Sequence, residues 1–153
     1  IDSLAASTFN GSSSQQNFAY ELMYGETARY NTLLKLSELN SFSVCFDRSY
    51  ITEYIYSIVF NRISHHPICY ELDENYTKNF NALAVICVKD EYDLNFLKKT
   101  QHKAIVENHP KLDSAYRFFA VNTDWQMKRL LLNTTDQDLE AQLTKIFRAL
   151  TME

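Results

Sequence analysis

Four aspartates, Asp47, Asp73, Asp90 and Asp124, each stand at the end of a segment with strand-like patterning. In an open parallel sheet the carboxyl ends of the strands share one edge, and ligands bind there. Carboxylates gathered at that edge would supply the oxygen ligands that Mg²⁺ prefers, and with the ion would come phosphoryl or phosphodiester chemistry. Asp is equally a favoured helix N-cap, accepting backbone N–H bonds at the positive end of the helix. Three of the four precede helical patterns, so capping is the preferred reading. Asp47, Asp90 and Asp124 are a metal set only under the alternative.

The remaining reactive side chains offer less. His65 and His66 are adjacent and would point apart in an extended segment. Cys69 follows closely, yet a second pair of zinc ligands at suitable spacing is missing, because His102 and His109 lie on another element. Cys45, Cys69 and Cys87 each fall inside an expected strand, whereas a nucleophilic thiol needs an exposed, electropositive helix start. An odd number of cysteines without CxxC spacing reads as reduced core thiols. Ser12-Ser13-Ser14 has no partner histidine. Catalysis is therefore not the preferred reading, and no cofactor is expected.

Aromatic side chains make up 14% of the chain, with 10 Tyr, 10 Phe and 1 Trp. Tyr20, Tyr24, Tyr54, Tyr56, Phe60 and Trp125 exceed what one core face needs, and Tyr and Trp concentrate at protein–protein hot spots. Tyr54, Tyr56, Phe60 and Trp125 are the expected partner-binding residues. The functional expectation is a non-catalytic protein–protein interaction or dimerisation domain, excised from a larger protein. The alternatives are a divalent-metal-dependent hydrolase or phosphotransferase and, third, an extracellular ligand-recognition domain.

Bulk composition narrows the field. The formal charge is −4 over 153 residues, without the clustered Lys and Arg that phosphate backbones require, so nucleic acid is not an expected partner. Two Gly and two Pro leave no glycine-rich phosphate loop and few tight turns. The longest apolar run, residues 82–88, is a strand's length, so no membrane span is expected. The thiols favour the cytoplasm or nucleus; three acceptor sequons, at Asn10, Asn75 and Asn133, favour an extracellular setting instead. With no initial Met and no signal-peptide pattern, the chain reads as an excerpt or a processed product.

These residues need elements to position them. Residues 1–16 are linker-like and expected to be poorly ordered at their start; 17–153 read as a single α/β domain. Helices are expected near 12–24 and after Gly25. Ser41–Phe46 alternates like a half-buried strand. A helix apolar nearly all round follows Ser49. Strands are expected at Ile68–Leu72, at Ala82–Val88 and at Tyr116–Val121, with a polar loop over 73–81. The continuously apolar 82–88 reads as a central strand covered on both faces. A long helix capped by Asp90, a short one from Asp124 and an amphipathic one from Leu139 complete the order. The expected fold class is α+β, an α/β sandwich with a four-stranded sheet and a β-α-β-β-α-β ferredoxin-like core plus terminal helices. A three-layer flavodoxin- or thioredoxin-like open sheet is the alternative.

Overall fold

The computed structural model describes residues 13–62, 65–122, 124–135 and 138–152, with side chains from residue 17 onward. The chain divides into two compact units, Ile1–Asn79 and Phe80–Glu153.

The described part of the first unit is built from helices: α1 (Ser13–Leu39), α2 (Tyr50–Phe60) and α3 (His66–Asn79), each packed on the other two. Helical spacing selects the core. Ala19, Met23 and Tyr30 of α1, Ile51 and Ile55 of α2, and Cys69, Leu72 and Tyr76 of α3 lie on facing stripes and are buried. The Tyr76 ring stacks on Tyr50 (centroids 5.9 Å apart) and meets the Tyr30 ring edge-on at 5.1 Å. The Tyr50 hydroxyl donates to the buried Asp73 carboxylate at 3.2 Å. Ser49 caps α2, its Oγ accepting from the Ile51 N–H at 3.3 Å, and Asn61 ends the helix in the left-handed region at φ 54°.

The second unit is a βαβ arrangement with a closing helix. Its elements are β1 (Leu83–Val88), α4 (Leu94–Thr100), α5 (Lys103–Glu107), α6 (His109–Val121), β2 (Lys128–Asn133) and α7 (Leu139–Thr151). β1 and β2 pair in parallel, from Leu83 opposite Lys128 to Val88 opposite Asn133. Both α6 and α7 pack on both strands. Ala84, Ile86, Val88, Leu112, Phe119, Trp125, Met127 and Leu132 form the core.

Neither expected sheet exists. Among the described residues there are seven helices and one two-stranded parallel sheet, which replaces the four-stranded ferredoxin-like core and the flavodoxin-like alternative alike. Of the expected strands only 82–88 is extended. Ser41–Phe46 has no regular structure and is exposed, since alternation alone makes no strand without a partner to pair with. Residues 68–72 belong to α3, where the 3- and 4-residue spacing of Cys69, Leu72 and Tyr76 outweighs a short apolar run that suits either state. The expected polar loop over 73–81 is largely the rest of that helix. Tyr116–Val121 closes α6, and the residues expected as a helix after Asp124 supply β2. Gly25 does not divide the first two expected helices, which are one helix of 27 residues. The long helix expected from Asp90 to near His109 is two helices, α4 and α5, and α6 begins where it was expected to end.

The thiols and aspartates move with these elements. Cys69 is buried in a helix, while Cys45 and Cys87 are exposed. Of the four aspartates only Asp90 follows a strand; Asp73 is inside α3 and Asp124 follows α6. Among the described residues, helix capping falls to Ser49, Asp93, His102 and Asp138.

Candidate functional site

The expected partner-binding residues are distributed over both units. Tyr54 and Tyr56 of α2 are half-buried. The Tyr54 ring lies 4.4 Å from the His66 ring and 5.8 Å from that of the exposed Tyr70, and the two tyrosine hydroxyls are 3.4 Å apart. Tyr56 leans on the Phe60 ring at 5.9 Å. Phe60 is buried in the first unit, and Trp125 is buried in the second, edge-on to Phe119 at 5.1 Å. The aspartates of the metal alternative do not converge: Asp47 is in the first unit and Asp90 and Asp124 are in the second, all exposed. Among the described residues no group of three or more His, Cys, Asp or Glu side chains is placed to hold a metal ion.

The strongest polar constellation lies under α2. Glu53 and Ser57 are one turn apart on the helix face that also carries the buried Tyr50 and Phe60. The Glu53 carboxylate takes a 2.8 Å bond from the Arg62 guanidinium, and its second oxygen lies 3.5 Å from His65 Nε2. All three side chains are buried. Burial pushes the Glu53 carboxyl above its ordinary range against the pull of Arg62. Burial, with the neighbouring His66 and Arg62, pushes His65 down to about 4. The cluster is thus an ion pair with a neutral imidazole beside it. The signal in the sequence was a Glu and a Ser at i, i+4 within an apolar helical stripe.

Ser57 and His66 form a pairing that resembles a nucleophile and its base. Their Oγ and Nε2 are hydrogen-bonded. However, the Ser57 hydroxyl donates to the Tyr54 carbonyl at 2.6 Å, which leaves its oxygen as the acceptor and the His66 N–H as the donor. A general base would need the reverse arrangement. Ser57 is also fully buried, so its hydroxyl packs the helix rather than meeting a substrate.

The cluster makes the first unit acid-sensitive. His65 carries its lowered value only when folded and titrates near 6.5 when unfolded. The unfolded chain therefore takes up the proton first as pH falls, and stability present above about 6.5 is lost progressively toward pH 4. His66, lowered by burial, acts in the same sense. Glu53, held high, contributes in the opposite sense: its share is present below 4.5 and lost as pH rises, so it partly offsets the loss at the acid end. Urea unfolding at stepped pH should show a decline of up to about 3 kcal/mol from His65. In His65→Asn the decline should be much shallower, and an equal slope in both chains would refute the assignment.

At the carboxyl ends of β1 and β2 the exposed polar groups are tied to one another. Asn133 Nδ2 donates to Asp90 at 2.8 Å, and its Oδ1 accepts from the Thr135 N–H and hydroxyl. The Asp90 N–H donates to Thr135 Oγ1 at 2.9 Å. Beside them Arg117 bonds both Asp113 and the Lys89 carbonyl, and Tyr92 donates to Asp113. Asp90 here staples two loops.

Helix α7 offers a surface rather than a pocket. Its apolar stripe runs Leu139, Leu143, Ile146, Phe147 and Leu150. Ile146 and Leu150 are partly covered, whereas Leu139, Leu143 and Phe147 remain 67%, 45% and 65% exposed. The helix is anchored at its far end, where Asn81 donates to the Leu150 carbonyl at 3.1 Å and Lys128 to that of Met152 at 2.8 Å. The open half of the stripe is therefore held in place. No described helix is long and apolar enough to cross a membrane. Comparison with protein-family models, curated proteins and solved structures finds no match for this chain.

Proposed function

We propose that the chain is a non-catalytic module that binds another protein, with the outward face of α7 as its principal contact. The observation that carries this reading is the i, i+4, i+8 stripe of Leu139, Leu143 and Phe147, large apolar side chains left open on a helix whose C-terminal end is anchored. Surface of this kind marks an interaction site when it is contiguous and rimmed by polar groups, as here by Glu140, Thr144 and Arg148. Helix-in-groove recognition uses the same spacing of anchors. Tyr54 and Tyr56, with Tyr70, give the first unit a smaller aromatic surface for the same purpose. Phe60 and Trp125 serve it from within, as packing. Three free thiols fit a reducing compartment, cytoplasm or nucleus.

The reading is tested by replacing Phe147 with a photo-crosslinking benzoylphenylalanine in the full chain within its native cells. A discrete adduct is expected at position 147, absent with the probe at Lys145 and lost on adding Leu143→Ser. Leu143→Ser itself should change stability by no more than about 0.5 kcal/mol, as surface substitutions do. No adduct, or the same adducts from both positions, would sink the reading.

A further inference from the structure

Helix α7 carries its open side chains in two adjacent rows. Leu139, Leu143 and Phe147 recur at every fourth position, and so do Glu140, Thr144 and Arg148, one residue further round. Side chains four apart stand above one another on a helix, so the two rows run side by side as ridges. All six side chains are exposed. The polar row has a direction: it begins with a carboxylate and ends, about two turns later, with a guanidinium.

Neither charge is met within the helix. Ion pairs along a helix form between positions three or four apart, and no opposite charge stands at those distances from Arg148, or after Glu140. The second unit does use that spacing elsewhere, pairing Lys103 with Glu107 on α5 and Asp113 with Arg117 on α6. Among the described residues, Glu140 and Arg148 take part in no ion pair. An acid followed by a base along the border of an apolar stripe is complementary to its own reverse.

We infer that the open face of α7 is covered by α7 of a second copy of this chain, the two helices antiparallel about a two-fold axis near Leu143. The inference rests on the reading of α7 as the contact face and names its partner. About that axis the two Leu143 side chains meet, and Leu139 of each copy lies toward Phe147 of the other. The rotation keeps the polar rows of the two copies on the same side. Each Glu140 therefore faces Arg148 of the other copy, and the contact is made twice. A parallel pair would set Glu140 on Glu140 and Arg148 on Arg148, both repulsive. The charges thus select the direction as well as the partner.

One helix pair is a small interface and binds weakly, so sedimentation equilibrium of the full chain should span about 1 µM to about 500 µM. The native chain should shift from 17.9 kDa toward twice that mass. Glu140→Arg brings guanidinium groups together at both contacts, and Arg148→Glu brings carboxylates together. Each variant should raise the dissociation constant by roughly tenfold or more. Mixed in equal amounts, the two variants should pair as tightly as the native chain, because each supplies the charge the other lacks. That rescue separates contact from folding, since a misfolded variant is not repaired by another. Leu143→Ser should abolish the dimer with the circular dichroism unchanged. A chain that stays at 17.9 kDa throughout, a dimer indifferent to the single charge variants, or a mixture no tighter than its components overturns the inference. A photo-adduct at position 147 with the mass of two chains supports it. An adduct of any other mass overturns it, while leaving α7 as the contact face of a different protein.

Discussion

Arg62→Met will destabilise the first unit by about 3–5 kcal/mol, the range found when one partner of a buried ion pair is removed. Arg62 and Glu53 are both buried, and their 2.8 Å bond is the charge compensation within reach of the carboxylate. The other neighbour, His65, is held neutral at physiological pH and supplies no positive charge. Without Arg62 the fold must either keep an unpaired carboxylate out of water or protonate it, and both are costly. Adding Glu53→Leu to the same chain should recover most of the loss, because an apolar pair of similar volume carries no desolvation cost. Urea midpoints of the single and double variants make the comparison. If the double variant is as unstable as the single one, the pair matters through shape, not charge.

Trp125→Ala should cost the second unit about 3–5 kcal/mol, as large-to-small changes in an aromatic core do. The indole is 4% exposed, and the Phe119 ring against it is buried as well. The Arg129 guanidinium lies over that Phe119 ring, 5.5 Å from its centroid, so a cavity here would loosen the start of β2 as well as α6. Unfolding followed by circular dichroism gives the number. A change below about 0.5 kcal/mol would be the mark of a surface residue, and would return Trp125 to a partner-facing role.

Why some elements were legible and others not follows from what each pattern demands. The α7 stripe and the helix after Ser49 were readable because a helical period over 11 or more residues has no competing solution. The apolar strand at 82–88 was readable from its length and its Val and Ile content. Ile68–Leu72 and Tyr116–Val121 were not, because a mostly apolar run of five or six residues suits a strand and a helix equally, and only tertiary packing decides. The cost of that ambiguity compounds. Two helical segments and one irregular segment read as strands gave a four-stranded sheet, and only an open parallel sheet would have given the aspartates a shared edge. The buried cluster was half visible, since Glu53 and Ser57 sit in plain helical register. Arg62 and His65 complete it from beyond the end of α2, outside the helical period that carries Glu53 and Ser57.

The pairing of β1 with β2 also sets a clock. Each register partner lies 45 positions from its mate, as Lys128 does from Leu83 (128 − 83), whereas α1, α2 and α3 follow one another with short connections. Contacts between distant positions form late, because the intervening chain must surrender its freedom before the ladder returns anything. On a chain emerging from its N-terminal end, the three-helix unit can assemble while β2 is still to come. Until α4, α5 and α6 have closed the crossover, LAVICV has two open edges instead of one. That interval is when the sequence is most exposed to meeting another copy of itself in the wrong way.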